Sequence, residues 1–137
     1  MSLLEEAQVF VDAWKPRFGL TDAQITLLIV PRDKIDGANA TTSTSADRSG
    51  GTIRLAENYA DYDPPQSVAP TNLEQTIVHE LLHISLNQYR NLTVANLKWL
   101  GGDNSVLING ILPDLESMEE TVVDRLAFNL VRAWQAR

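Results

Sequence analysis

The 137-residue chain contains no cysteine. A disulfide framework and a thiolate metal site are therefore both excluded, and any metal ion must be held by nitrogen and oxygen atoms. Lysine and arginine together number 11, against 18 aspartates and glutamates, which gives a formal net charge of -7. Nucleic-acid phosphates and anionic bilayers attract basic surfaces, so we expect neither a nucleic acid nor a membrane as partner.

Long apolar runs are also missing, and the hydrophobic content of 44% is that of an ordinary globular protein. The first turn carries Glu5 and Glu6 instead of a basic segment followed by an apolar core, so no secretory leader is predicted. With the absence of cysteine, this favours a cytoplasmic location. The length predicts one domain covering residues 1–137.

Hydrophobic spacing in the first part of the chain predicts a helix and then a strand. Apolar residues recur at helical intervals from Leu3 to Trp14, and Pro16 and Gly19 end that pattern. The short β-branched run Ile25–Val30 then predicts a buried strand.

A hairpin is predicted next. The segment Ala40–Ala46 is rich in threonine and serine, and a turn at Asp47–Gly51 separates it from the alternating Thr52–Leu55. The first arm is polar enough for an edge strand. Asp61–Pro70 holds three prolines and should be an irregular connector.

Two further helices are predicted. Thr71 and Glu74 have the spacing of a capping box, which indicates a helix from about Asn72 to Tyr89. One or two separate helical turns follow at Val94–Leu100. Pro113 and Asp114 look like a helix start, with an apolar stripe made of Leu115, Val122, Val123, Leu126, Leu130 and Trp134.

The first long helix carries the sequence His79-Glu80-Leu81-Leu82-His83, an HExxH motif. Residues four apart lie one above the other on a helix, so both imidazoles can bind one ion while Glu80 stands beside the remaining ligand position. A helical wheel places the motif away from the apolar arc. The competing interpretation is a solvated helix face that holds two histidines by chance.

His79 and His83 are the only histidines in the chain, so a third protein ligand must be a carboxylate. At this point the sequence resembles the gluzincins, a branch of the zincin metallopeptidases in which a glutamate on a later helix completes the site. Glu120 and, four residues on, Asp124 match that pattern, and the segment around them is similar to small ImmA/IrrE-type and minigluzincin-like peptidases. The resemblance implies that Glu120 is a zinc ligand and that Asp124 supports His79.

Two alternatives to Glu120 stay open. Ser117 and Glu120 have capping-box spacing, which would give Glu120 a structural role, although Asp114 is the better cap. Glu119 lies nearer the centre of the apolar stripe and is a rival ligand, while Glu116 is a weaker one. We favour Glu120, because a carboxylate follows it one turn later on the same side.

The fold expected from this pattern is α+β and zincin-like, with a backing helix, about three strands, the HExxH helix and a C-terminal glutamate helix. The function expected is that of a zinc endopeptidase acting on a peptide or protein, with Glu80 as general base. The alternative is an inactive zincin-fold protein that binds zinc and a partner. A latent enzyme, with the first helix or Trp99–Leu112 over the cleft, is a further hypothesis, and a site of this kind also accepts Fe, Co or Mn.

Overall fold

A computed structural model describes residues 1–45, 50–59, 72–101 and 112–135, with side chains excepted at 88–94, 96–101, 112 and 115. In these residues the protein is α+β, with three α-helices and one three-stranded mixed sheet. The Asp61–Pro70 connector and most of the Asp47–Gly51 turn lie outside the described residues. Within the described residues, no helix combines the length and apolar character needed to cross a bilayer.

The first helix, α1, spans Leu3–Trp14, as predicted. It begins at a capping box in which the Ser2 hydroxyl accepts from the Glu5 N–H and the Glu5 carboxylate accepts from the Ser2 N–H. A 3-10 turn at Lys15–Phe18 follows, and the chain leaves it through Gly19 at φ 68°. Glycine adopts this left-handed conformation without a Cβ penalty, so the helix ends here.

The sheet contains β1 at Gln24–Val30, β2 at Ala40–Thr44 and β3 at Gly50–Ala56, in the order β1-β3-β2. Strand β3 is central, parallel to β1 and antiparallel to β2. The predicted strand, hairpin pairing and polar edge strand are confirmed, but the expectation that the first strand is buried was wrong. Strand β1 lies at one edge of the sheet, and its Leu28 and Ile29 are 41% and 36% exposed. Strand β2 is an edge strand, and no other strand in the described residues pairs with its second edge.

A glycine lets this sheet approach the next helix. A Cβ built on Gly51 would lie 2.7 Å from the Ser43 carbonyl oxygen and 3.1 Å from Ile84 Cδ1. Any larger residue would push either β2 or the helix away. The residue before Ile84 is His83, so this contact sets the distance between β2 and the HExxH motif.

The second helix, α2, spans Leu73–Gly101 and is much longer than predicted. The expected end near Tyr89 was wrong, because no proline or glycine interrupts the sequence before Gly101. The capping residue is Asn72, whose side chain accepts a hydrogen bond from the Gln75 N–H. Thr71, the predicted partner of Glu74 in a capping box, lies outside the described residues, and the Glu74 carboxylate accepts hydrogen bonds from Trp14 Nε1 and Gln135 Nε2.

The third helix, α3, spans Leu112–Gln135. Its predicted apolar stripe is only partly correct, because Val122 and Leu126 are 48% and 41% exposed. The row that packs into the core is Val123, Ala127 and Val131, spaced four residues apart. Helix α3 therefore turns a face toward α2 that is rotated from the predicted one.

The core lies between β3, α1, α2 and the buried row of α3. Trp14 and Trp134 meet edge to face at 5.9 Å between ring centroids, as expected for core tryptophans. The Arg17 guanidinium lies 3.6 Å from the Trp134 ring centroid. These contacts hold the C-terminal end of α3 against α1 and keep α3 alongside the HExxH helix.

Candidate metal centre

Helix α2 delivers both histidines of the motif to one point. Their ring centroids are 4.8 Å apart, and His79 Nε2 lies 3.1 Å from His83 Nε2. The rings stand one helical turn apart on the same side, which is the arrangement that the i, i+4 spacing predicts. Two imidazole nitrogens this close need a shared proton, or a cation, between them.

Helix α3 brings Glu120 to the same point. One carboxylate oxygen of Glu120 lies 2.8 Å from His79 Nε2 and the other lies 3.0 Å from His83 Nε2. Glu120 is well inside α3, which begins at Leu112, so the capping role with Ser117 is excluded. His79, His83 and Glu120 form a group whose ligand atoms all lie within 4.8 Å of one another and could hold a metal ion.

A carboxylate contacts the Nδ1 atom of each imidazole, on the side away from the shared point. Asp124 Oδ1 lies 2.7 Å from His79 Nδ1, and both atoms are buried with no other hydrogen-bond partner in the described residues. Glu119 Oε1 lies 3.2 Å from His83 Nδ1. A carboxylate at Nδ1 favours the tautomer that carries its proton there, so both Nε2 lone pairs face the shared point.

The spacing of the three donors fits a tetrahedral cation. Bonds of about 2.0–2.1 Å to zinc place neighbouring ligand atoms roughly 3.3 Å apart. The two Nε2 atoms are 3.1 Å apart, and the two oxygens of Glu120 lie 2.8 Å from His79 Nε2 and 3.0 Å from His83 Nε2. The two nitrogens are therefore within a few tenths of an ångström of this spacing, and either oxygen of Glu120 could serve as the third ligand. The donor set of two nitrogens and one carboxylate is one that zinc binds in open sites.

Glu80 lies next to this group and is almost fully enclosed, with 5% of its surface exposed. One of its carboxylate oxygens is 3.9 Å from His79 Nε2, and the other accepts a hydrogen bond from the Thr42 hydroxyl of β2. As predicted, the motif lies outside the apolar arc of the helix, which packs into the core, but its own side of the helix is also buried. Its side of α2 is covered by β2 and α3, and a solvated face no longer describes it.

A cavity of about 490 Å³ opens onto the site. It is lined by all of β2, by α2 at the motif and at Asn87, and by Glu119 and Glu120 of α3. None of the lining residues in the described part of the chain comes from α1, so a latent form covered by α1 is not supported. Most of Trp99–Leu112, the other segment expected over the cleft, lies outside the described residues.

A phenolic hydroxyl can donate a hydrogen bond to a reaction intermediate, and the chain has three tyrosines. Tyr59 does not fill that role, because its hydroxyl forms a 2.9 Å hydrogen bond with Thr76 Oγ1 and its ring packs on the core. Tyr62 and the side chain of Tyr89 lie outside the described part of the structure.

Burial and neighbouring charges shift the pKa values of the ionisable groups at the site in opposite directions. Burial is the largest influence on His83 and lowers its pKa, but hydrogen bonding and negative charge from Glu120 together raise that pKa to about 9. Hydrogen bonds from His79 and then His83 hold the pKa of Glu120 well below its usual range. Burial raises the pKa of Glu80, which suits a general base that must hold a proton for part of a reaction.

These shifts predict how the metal-free protein responds to pH. The folded-state pKa of His83 is about 9 and its unfolded value is near 6.5. Its contribution to stability is therefore complete below pH ~6.5 and is lost as the pH rises to ~9. We expect the free energy of unfolding of chelator-treated protein to fall by on the order of 2 kcal/mol across this range, measured by urea denaturation.

The matched control is His83→Gln, in which position 83 no longer titrates. Its free energy of unfolding should fall less steeply as the pH rises. Zinc should reverse the trend, because the metal needs the unprotonated imidazole and binds more tightly as the pH rises. A metal-free stability that stays constant or increases between pH ~6.5 and ~9 would contradict the pairing of His83 with Glu120.

Three residues of the site have contacts that the sequence did not predict. Thr42 bonds to Glu80, Glu119 faces His83 instead of the shared point, and Asn87 lines the cavity. The contact of Glu119 could have been found from the sequence, because a carboxylate near the centre of an apolar helix stripe needs a polar partner. No protein-family model, curated protein or solved structure matches the chain, so the chemistry of the site is inferred from its own geometry.

Proposed function

We propose that this chain is a zinc-dependent peptidase of the gluzincin type, with His79, His83 and Glu120 as zinc ligands and Glu80 as general base. The observation that carries the proposal is the convergence of two Nε2 atoms and a carboxylate on one point beside a buried glutamate. The resemblance to minigluzincin-like peptidases agrees with this proposal and gives it a fold of zincin type.

The residues divide the work of peptide hydrolysis. A bound zinc ion supplies Lewis acidity, which acidifies water and polarises a carbonyl. Glu80 lies beside the ion's position, where it can take a proton from the attacking water and pass it to the leaving nitrogen. Thr42 holds the second oxygen of Glu80, which keeps the first one directed toward the ligand group.

A non-catalytic zinc protein is the rival function, and two features favour the peptidase. Structural zinc sites are closed by four protein ligands, whereas the ligand group in the described residues has three, and Glu80 Oε1 lies 3.9 Å from His79 Nε2. A cavity also reaches the site. Burial of the Glu80 carboxylate costs free energy, and a role in proton transfer would explain why a carboxylate is placed there.

The first experiment measures metal content, stability and hydrolysis on the same preparation. We expect one zinc per chain by mass spectrometry, with iron, cobalt and manganese measured alongside. Zinc at about 1,000 times its dissociation constant adds ~4 kcal/mol, so the melting temperature of chelated protein should rise by roughly 15 °C when zinc is restored. Peptide hydrolysis should disappear with the metal and return with it.

The outcomes separate the functions. Absence of stoichiometric metal in the wild-type protein would overturn the proposal. One bound zinc with no hydrolysis of any peptide would favour the non-catalytic protein, and a different stoichiometric metal would correct the identity of the ion.

The free edge of β2 offers a place for an extended substrate. Thr41 and Ser43 are in the hydrogen-bonded pairs with β3, because Ser45 N–H donates to Gly50 in the same register. The backbone groups of Ala40, Thr42 and Thr44 therefore point to the open side. A peptide could pair with them as an added strand that crosses the metal centre.

A proline at an outward position tests this pairing. Thr44→Pro removes an N–H from the free edge without removing a bond to β3, so the fold and zinc content should be retained. Loss of one strand-pairing bond should raise the KM for peptides by about fivefold or more. Thr44→Ala, which keeps the N–H, is the control, and equal cleavage by the two variants would exclude substrate pairing at this position.

A further inference from the structure

The cavity next to the metal centre has an unusual lining. Ligand pockets are ordinarily lined mainly by apolar and aromatic side chains. Here the described lining residues are small alanine, serine and threonine residues of β2, the two histidines, the amide of Asn87 and three carboxylates. No lysine, arginine or large apolar side chain is among the described residues that line it.

The balance of charge in the cavity is negative. Glu80, Glu119 and Glu120 line it, and Asp124 stands directly behind His79. A divalent cation bound to neutral imidazoles offsets only two of these four charges. The chain as a whole carries a formal charge of -7, which adds to the same field. Cationic groups are therefore attracted into the cleft and anionic groups are repelled.

One end of the cleft presents acceptors suited to such a group. Asn87 follows His83 by four residues, about one helical turn, which is a rise of about 6 Å along α2. Glu119 uses Oε1 to contact His83, and its Oε2 accepts no hydrogen bond from any described residue. Glu119 and Asn87 both line the cavity, on the side of the metal centre away from the start of α2.

From this geometry we infer that the cleft selects peptides with a lysine or arginine next to the cleaved bond, whose cationic side chain lies against Glu119 and Asn87. The four-carbon stem of lysine is long enough to span one helical turn from the metal centre. The inference rests on the proposed peptidase function and specifies its substrate class. It makes Glu119 a residue with two roles, since it positions His83 and binds substrate.

The test uses zinc-loaded protein and an equimolar library of synthetic peptides, with cleavage sites identified by mass spectrometry. We expect lysine and arginine to be enriched about tenfold at one position adjacent to the cut bond, and aspartate and glutamate to be depleted there. Asn87 is the position to vary, because a change at Glu119 would also disturb His83. Asn87→Asp should increase the enrichment and Asn87→Lys should abolish it, with zinc content measured for each variant.

Cleavage without enrichment of basic residues would overturn this inference and leave the peptidase proposal intact. Enrichment that both Asn87 variants leave unchanged would also overturn it, because the selecting group would lie elsewhere. Absence of any cleavage by zinc-loaded wild-type protein would overturn the peptidase proposal and this inference with it.

Discussion

Glu120→Ala is expected to purify without stoichiometric zinc. The carboxylate contacts both imidazoles, at 2.8 and 3.0 Å, and among the described residues it is the one ligand that α3 contributes to the group. Loss of a residue that hydrogen-bonds to a metal ligand weakens metal affinity by about 10–100-fold. Removal of a ligand itself should therefore lower the zinc affinity by more than ~100-fold. Competition with a chromogenic chelator measures the affinity, and mass spectrometry measures the metal content.

Two neighbours on α3 serve as matched controls. Glu116→Gln removes the same charge one turn earlier, at an exposed position, and should leave zinc bound. Glu119→Gln should weaken zinc by about 10–100-fold without abolishing it, because Glu119 supports His83 from behind. Zinc that survives Glu120→Ala and is lost in Glu119→Ala would show that the ligand had been assigned to the wrong residue.

Glu80→Gln is expected to keep its zinc and to lose peptide hydrolysis. The amide has the same shape and can still accept a hydrogen bond from Thr42, but it cannot take a proton from water. General-base catalysis contributes about 10²–10⁴ in rate, and kcat should fall by that factor. Because burial opposes the charged form of Glu80, the neutral variant should be at least as stable as the wild type.

Glu57→Gln is the control for charge alone, since it removes one carboxylate at an exposed turn outside the cleft. Its hydrolysis rate and zinc content should match the wild type. Hydrolysis that persists in Glu80→Gln at more than about a tenth of the wild-type rate would remove Glu80 from the mechanism.

The sequence predicted the features that depend on local signals. The first helix was located from its apolar spacing and from the Pro16 and Gly19 that end the pattern, and the first strand was located from a short β-branched run. Both agree with the observed bounds to within one residue. The pairing of His79 with His83 is also local, because it follows from helical spacing alone. The α+β class and the polar edge strand followed from the order and composition of these segments.

Features set by packing between distant segments were less predictable. The orientation of α3 depends on which of its faces meets α2, and a helical wheel with apolar residues on two sides cannot decide between them. The contact of Thr42 with Glu80 joins residues 38 positions apart, and that of Glu119 with His83 joins residues 36 apart. Such pairs are fixed only when β2 and α3 pack against α2.

The division of the ligand group between α2 and α3 affects the order of events during synthesis of the chain. Glu119 follows His83 by 36 positions, so the ribosome adds the α3 carboxylates after the histidines of the motif. At a synthesis rate of about 5–20 residues per second, this delay is a few seconds. During that interval the nascent chain holds two ligands and a glutamate without their third partner, and the complete metal centre forms only after α3 emerges and packs against α2.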